Sequence, residues 1–265
     1  MCVECSPLDN SIYLKIGKYY MKSKIAIFGV GHLASFLVPQ LEGGYITIGI
    51  SRSFSNKTDS QIKFTIGEDI NFKINPNVIV VNFPPSEKLI DTLKNINTHF
   101  DDKVPLMFVS STSIYESGQV DEQSPLNKKS RLYDCEVLLK SFKRPTTVLR
   151  PGGLFDSKRH PGNFFRNKKE VSGGNQAVNM VHTNDVASFI KFIIDNNKYG
   201  ENYNLVASTH PSKKEFYGAA MKKAGRPEPV WLQSDGSGKV VSNKKSRSAN
   251  FKYKYDDLLL AIEAV

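Results

Sequence analysis

Cysteine is scarce in this chain of 265 residues, which contains Cys2, Cys5 and Cys135 and no others. Cys2 and Cys5 form a CxxC pair, but no second pair is present to complete a zinc site. The sequence therefore predicts no metal centre. Long hydrophobic runs are also missing, since no apolar stretch approaches the roughly 18 residues that a membrane span requires. We therefore expect no membrane contact.

The N-terminus lacks the order of basic, apolar and small-residue segments that is typical of a signal peptide. The first strand is expected only after Met21, so residues 1–20 are interpreted as an N-terminal tail. These features favour a soluble, cytoplasmic protein. The net charge of +10 is spread over clusters that match no nucleic-acid-binding motif. It favours a solvated basic surface near an anionic ligand over nucleic-acid binding.

The most informative segment covers residues 24–52 and reads KIAIFGVGHLASFLVPQLEGGYITIGISR. A strand, a glycine turn, a helix and a second strand within about 30 residues predict dinucleotide binding. Gly29 permits the tight turn, Gly31 lets a diphosphate approach the backbone, and Ala34 replaces the third glycine of the motif. Because the start of the helix offers unpaired N–H groups to phosphates, His32 and Leu33 are also predicted to contact the cofactor.

The end of the second strand carries no acidic residue, although an NAD site usually has one about 20 residues after the first glycine. Ser51, Arg52 and Ser53 occupy this position and are predicted to bind the cofactor. Arg52 is suited to a 2′-phosphate, and such a charge-assisted contact contributes roughly 1.5–3 kcal/mol. The sequence therefore favours NADP(H) over NAD(H). An ordinary solvated loop arginine is the alternative interpretation.

Strands and helices continue to alternate along the chain. Further strands are predicted at residues 62–66, 78–82, 104–109 and 146–149, and helices at 87–100, 130–143 and 186–196. The pattern predicts an α/β fold with a Rossmann-type doubly wound parallel sheet. Ligands bind at the carboxyl ends of the strands in such sheets. The cofactor contacts predicted at those ends are Asn82, Phe83, Pro84, Ser110, Pro151 and Gly152.

The chain is expected to divide into two parts after the N-terminal tail. Residues 21–155 are predicted to form the NAD(P)-binding Rossmann domain. Residues 156–265 are predicted to form mainly a smaller substrate-binding region, with the helix near 186–196 returning to the Rossmann domain.

These motifs resemble the NAD-dependent epimerase/dehydratase superfamily, in the atypical branch of the short-chain dehydrogenase/reductase (SDR) fold. The resemblance covers about residues 22–265 and depends on the order of the segments FGVGHLA, VSSTSIY, VLRPGGLF, VNMVHTNDVASFI, YNLVAS and KVVSNKKSR. It implies that Ser111, with Thr112 beside it, orients or polarises a substrate oxygen. Alternatively, these hydroxyls only cap the strand end. His182 and Asp185 are expected to be structural, Asp185 as a helix cap or turn-former.

The chain departs from this family at the catalytic Tyr-x-x-x-Lys pair, in which the tyrosine exchanges a proton with the substrate. Lys128 occupies the tyrosine position and Leu132 the lysine position. Two interpretations remain open. Either another group supplies the proton, with Tyr115, Lys128, Tyr133 and Glu116 as candidates, or the protein binds NADP(H) without ordinary turnover.

The expected function is that of an NADP(H)-dependent oxidoreductase or epimerase acting on a small hydroxylated or sugar-like substrate, as a monomer or homodimer. Ser111, Thr112 and Tyr115 are the catalytic candidates. The alternative is a non-catalytic NADP(H)-binding sensor or regulatory protein.

Overall fold

The computed structural model describes residues 13–16, 19–53, 57–236 and 238–265. The strands are β1 (Tyr13–Ile16), β2 (Tyr19–Lys22), β3 (Lys24–Phe28), β4 (Ile46–Ser51), β5 (Ser60–Lys63), β6 (Val78–Val81), β7 (Leu106–Val109), β8 (Gly118–Val120), β9 (Thr146–Pro151), β10 (Gly153–Phe155), β11 (Glu170–Ser172), β12 (Met180–His182), β13 (Asn202–Leu205), β14 (Val230–Leu232) and β15 (Lys239–Val241). The helices are α1 (Ala34–Leu41), α2 (Leu89–His99), α3 (Tyr133–Leu139), α4 (Thr183–Asp195), α5 (Lys213–Lys223), α6 (Lys244–Ser248) and α7 (Leu258–Glu263). Two 3₁₀ turns cover Thr112–Ile114 and Pro161–Asn163.

Seven strands form one sheet in the order β5-β4-β3-β6-β7-β9-β13, and every neighbouring pair is parallel. Chain order thus runs outward from β3 to one edge and then returns to β6 and the other edge. This is the doubly wound arrangement, whose crevice lies where the strand order reverses, between β3 and β6. The predicted Rossmann-type parallel sheet is confirmed.

The central strands are apolar throughout because both faces of the sheet are covered by helices. On β3, the side chains of Ile25 and Ile27 join a buried cluster with α1 and α4. Ala26 and Phe28, which point the other way, join a second cluster with α2 and α3. This alternation fixes the register of β3, since a shift by one residue would exchange the two faces.

Most of the predicted elements have different boundaries in the structure. The helix predicted at 186–196, for example, is α4 and begins three residues earlier, at Thr183. The strand predicted at residues 62–66 is β5 at Ser60–Lys63, and the chain leaves the sheet soon after it. The strand predicted at 104–109 begins only at Leu106, because Pro105 has no N–H to donate to the sheet. The helix predicted at 130–143 is α3 at Tyr133–Leu139, flanked by turns.

The expectation that no strand precedes Met21 is wrong. Strands β1 and β2 pair antiparallel, with Tyr13 opposite Lys22 and Ile16 opposite Tyr19. Their tyrosine and isoleucine residues favour extended backbone. The remainder of the tail, including Cys2 and Cys5, lies outside the described residues.

The C-terminal part contributes to the main sheet and also forms smaller units. Helix α4 packs in the same buried cluster as α1, and β13 is the edge strand beside β9. The pairs β10–β12, β11–β14 and β8–β15 are each two-stranded and parallel. A third apolar cluster joins α5 and α7. Within the described residues, no helix has the length and apolar character needed to cross a membrane.

Candidate functional site

The glycine turn, residues 29–33, connects β3 to α1 at the carboxyl edge of the sheet. Gly29 has a φ of +97°, and a Cβ built on it would lie 2.4 Å from the carbonyl oxygen of Asn82. Its amide donates to the carbonyl oxygen of Ile50 at 2.9 Å. Gly29 therefore has two structural requirements, a left-handed backbone and close contact with the end of β6.

Gly31 is different, because its side-chain position is open. A Cβ on Gly31 would meet no protein atom within 4 Å, and its φ is not positive. Among the described residues, the backbone N–H groups of Gly31, His32 and Leu33 have no acceptor. Protein packing thus does not require glycine at this position, whereas unpaired N–H groups beside open space are suited to an anion.

A cavity of about 330 Å³ lies next to the glycine turn. It brings together eight of the predicted cofactor-binding residues, namely Gly29, Gly31, Ser51, Arg52, Ser53, Asn82, Phe83 and Pro84, and is completed by Val30, Thr65, Ile66 and Ser86. Among the described residues of this lining, Arg52 is the only charged one, and its side chain is exposed. The lining is thus polar at the loop after β4, apolar at Phe83 and Pro84, and without carboxylates.

Five other predicted cofactor contacts do not line this cavity. Leu33 is buried in the core. Ser110 is buried and donates to Glu136 Oε1 at 2.6 Å. Pro151 and Gly152 are buried at the end of β9, where a Cβ on Gly152 would lie 2.4 Å from the carbonyl oxygen of Asn179. Cofactor contact by these residues stays a prediction.

His32, the fifth of these residues, has a partner that the sequence did not indicate. Its Nε2 lies 2.6 Å from Oδ2 of Asp156, a carboxylate that is only 1% exposed. Thr183 Oγ1 donates to the same oxygen at 2.5 Å, and Oδ1 accepts from the backbone N–H groups of Lys158 and Arg159 at 3.0 and 3.1 Å. Burial raises the pKa of Asp156, but the hydrogen bonds that its carboxylate accepts from Thr183, His32 and the backbone of Arg159 act together against burial, and the net effect is a lowered pKa.

The structure places Ser111 and Thr112 at the end of β7. Ser111 caps the 3₁₀ turn that follows, since its Oγ accepts from the N–H of Ser113 at 3.1 Å. Thr112 is buried. The hydroxyl of Ser111 thus makes a capping contact, which is the alternative role predicted for it. Its side chain is also partly exposed. Substrate orientation by these two residues stays a prediction.

Lys239 also contacts this turn, although the sequence did not single it out. Its ammonium group donates to the carbonyl oxygens of Thr112 and Tyr115 at 2.7 and 3.2 Å. Burial lowers the pKa of Lys239. Lys239 is 127 residues from Thr112 along the chain, so only the pairing of β15 with β8 brings it here.

Tyr115 is 3% exposed and belongs to a buried polar network. Its hydroxyl donates to Asn204 Oδ1 at 2.8 Å and accepts from Arg150 Nη1 at 2.5 Å. Arg150 also binds both carboxylate oxygens of Glu136, with Nη2 2.6 Å from Oε2. Burial raises the pKa of Tyr115. With its hydroxyl engaged on both sides, this tyrosine is placed to support the fold beneath the site.

The other proton-donor candidates are more accessible. The side chains of Glu116 and Lys128 are exposed, and that of Tyr133 is half-buried at the start of α3. These three side chains are therefore accessible to solvent, in contrast to Tyr115.

His182 and Asp185 have structural contacts, as expected, but only His182 caps a helix. His182 Nδ1 accepts from the N–H of Asn184 at the start of α4, and the ring stacks on Tyr255 at 3.8 Å. Asp185 is not a helix cap. Its carboxylate accepts the backbone N–H groups of Lys254 and Tyr255 at 3.0 and 2.9 Å, which ties the C-terminal segment to α4.

Comparison with known proteins gives both sequence relatives and structures of the same fold. The chain is 32% identical over 165 residues to protein YeeZ of Escherichia coli (strain K12), a match that covers 58% of this chain and 60% of YeeZ. It is 23% identical over 184 residues to the epimerase family protein SAR0825 of Staphylococcus aureus (strain MRSA252), covering 60% of this chain and 59% of that protein. No family model matches the chain.

Among solved structures, the human epimerase family protein SDR39U1, determined with NADPH, superimposes with a TM-score of 0.67 at 14% identity. It covers 91% of this chain and 98% of the human chain. The fold is therefore that of the SDR proteins. Together with the sequence relatives, it confirms the resemblance predicted from the motifs, to the NAD-dependent epimerase/dehydratase superfamily and its atypical SDR branch.

Proposed function

We propose that this protein binds NADP(H) and acts as an oxidoreductase or epimerase on a small hydroxylated or sugar-like substrate. The observation that carries the proposal is the pairing of an open Gly31 and unpaired N–H groups with a single cation, Arg52, on the cavity lining. The N–H groups suit a diphosphate. Bound there, the dinucleotide would supply hydride transfer.

The preference for NADP(H) depends on the charge at the end of β4. NAD sites use a carboxylate there to accept hydrogen bonds from the ribose hydroxyls. This chain offers the guanidinium of Arg52 between two serines, in a lining whose described residues include no carboxylate. A guanidinium binds a phosphate through two parallel, charge-assisted N–H···O bonds. A 2′-phosphate can form this pair of bonds with Arg52, whereas a 2′-hydroxyl cannot.

Two solved structures of the same fold support the binding of a nicotinamide dinucleotide. SDR39U1 was determined with NADPH, and a UDP-glucuronic acid 4-epimerase of Bacillus cereus, of the same fold at 17% identity, was determined with UDP-glucuronic acid and NAD. The nucleotide-sugar ligand of the second structure supports a hydroxylated, sugar-like substrate for this chain.

On the substrate side, Ser111 would orient the substrate oxygen, with Thr112 adjacent. Proton transfer would then come from an accessible group, and Glu116, Lys128 and Tyr133 are more accessible than Tyr115. General acid–base catalysis contributes typically about 10²–10⁴-fold to a rate. Substitution of the proton donor is therefore expected to lower turnover by about that factor without abolishing cofactor binding.

The test is incubation of the purified protein with NADPH or NADP⁺ and a panel of carbonyl and nucleotide-sugar compounds, with both the cofactor and the products followed. For at least one compound, the proposal predicts net cofactor turnover if the protein is an oxidoreductase, or an epimerised product without net cofactor turnover if it is an epimerase. This activity should be lost in Ser111→Ala. Arg52→Gln should weaken NADPH binding by about 10–100-fold and leave NADH binding unchanged. Tight NADPH binding without either activity would contradict the enzymatic role and support the sensor or regulatory alternative.

A further inference from the structure

The contact between His32 and Asp156 joins two parts of the chain that are 124 residues apart. His32 follows Gly31 in the glycine turn, directly beside the unpaired N–H groups. Asp156 follows β10, on the side of the chain predicted to contact substrate. A short hydrogen bond between these two side chains therefore links the expected diphosphate site to the loop after β10.

Asp156 uses all of its hydrogen-bonding capacity to hold this arrangement. One carboxylate oxygen accepts from Thr183 at the start of α4 and meets His32, and the other accepts from two backbone N–H groups of the following turn. The carboxylate is 1% exposed, so water does not compete for these bonds. Burying it is tolerable because every contact is with a donor.

The turn that Asp156 organises carries positive charge. Lys158 and Arg159 donate their backbone N–H groups to Asp156, and both side chains are exposed. His32 is itself 27% exposed. Asp156 thus links the imidazole of the glycine turn to a turn with two exposed cations, and positive charge of this kind favours an anionic ligand.

We propose that Asp156 is a positioning residue for the diphosphate of the dinucleotide, fixing the glycine turn through His32 and the basic turn through the backbone of Lys158 and Arg159. The inference rests on the proposed cofactor. It separates the roles of two sites, since Arg52 selects the 2′-phosphate and Asp156 supports the diphosphate that NADPH and NADH share.

The chain offers a matched control for Asp156. Asp185 is equally buried, at 1% exposure, and also accepts two backbone N–H groups, but those belong to Lys254 and Tyr255. Asp156→Asn and Asp185→Asn therefore remove similar buried carboxylates. A purely structural role of Asp156 predicts a loss of stability without a selective effect on ligands.

The experiment is calorimetric titration of the full chain with NADPH and NADH, and with 2′-AMP in competition with NADPH. 2′-AMP has the 2′-phosphate but no diphosphate. Asp156→Asn is expected to weaken the binding of NADPH and of NADH equally, by about 10-fold. The affinity for 2′-AMP should stay within twofold of the wild-type value. Asp185→Asn is expected to leave all three affinities unchanged. If Asp156→Asn fails to fold, His32→Asn takes its place, because His32 is partly exposed. It should weaken the binding of both dinucleotides in the same way.

Each result decides the matter. Unchanged dinucleotide affinities in Asp156→Asn and His32→Asn would overturn this inference alone, and so would an equal loss of 2′-AMP binding. A wild-type protein that binds neither dinucleotide would overturn the proposed function, and this inference with it.

Discussion

Two glycines in one turn are predicted to respond in opposite ways to the same substitution. Gly29→Ala and Gly31→Ala each add a single methyl group, two residues apart. Gly29 needs its glycine for the fold, whereas the open space at Gly31 is unused by the protein itself. The pair therefore separates a structural glycine from one reserved for a ligand.

The cost of Gly29→Ala follows from two features. A φ of +97° places an alanine in the left-handed region, which costs roughly 1–2 kcal/mol. Its Cβ would also lie 2.4 Å from the carbonyl oxygen of Asn82, a backbone atom at the end of β6. Overpacking of this kind costs typically about 1–3 kcal/mol. We expect Gly29→Ala to lower the free energy of unfolding by about 2–5 kcal/mol.

Gly31→Ala is expected to preserve or raise stability. Its backbone is acceptable to alanine, and the new methyl group meets no protein atom within 4 Å. Gly→Ala at such positions adds about 0.4–1 kcal/mol by restricting the unfolded chain. In the complex, however, the methyl group would push a diphosphate away from the N–H groups of the turn. Loss of one charged hydrogen bond, roughly 1.5–3 kcal/mol, corresponds to about 10–100-fold weaker NADPH binding.

Urea unfolding and NADPH calorimetry on both variants test this reasoning. Wild-type NADPH affinity in Gly31→Ala would refute the assignment of the open space to a diphosphate. Wild-type stability in Gly29→Ala would refute the contact with Asn82 as the reason for that glycine.

Three further predictions concern the buried polar groups. Glu136→Ala should lower the free energy of unfolding by about 3–5 kcal/mol in urea, because it leaves Arg150 charged and buried without its carboxylate; a loss below about 1 kcal/mol would contradict the ion pair. Tyr115→Phe should cost about 1–3 kcal/mol, since Asn204 and Arg150 lose a partner, and any activity should keep its pH profile; a changed profile would instead identify Tyr115 as the proton donor. Burial lowers the pKa of His182 to about 4, so the unfolded imidazole, with a pKa near 6.5, takes up a proton first as the pH falls. The contribution of His182 to the free energy of unfolding should be full above about pH 6.5 and decrease by about 3 kcal/mol towards pH 4. His182→Asn, which can still cap α4, should remove this decrease. If the variant shows the same decrease as the wild type, groups other than His182 cause it.

Local sequence was sufficient to predict the strand–turn–helix unit and the sheet. The spacing of the apolar residues, the placement of the glycines and the apolar runs identify β3, α1 and β4. The repeated alternation of strands and helices predicts the parallel sheet. Local sequence was also sufficient to bring together most of the cavity lining, because the ends of the neighbouring parallel strands β3, β4 and β6 meet at one edge of the sheet.

Contacts between distant segments could not be predicted in this way. His32 meets Asp156, and Lys239 meets Thr112, only through the tertiary structure. A histidine in a loop and a lysine in a short strand carry no signal in sequence for the partners they find. The capping role of Ser111 and the burial of Tyr115 likewise depend on how the turn after β7 packs, which side-chain types alone do not specify.

The most direct test of cofactor binding is calorimetric titration of the wild-type protein with NADPH and with NADH. The open glycine turn and Arg52 predict one saturable site, with NADPH bound about 10–100-fold more tightly than NADH. Equal affinities would contradict the role of Arg52, and binding of neither dinucleotide would contradict the central claim.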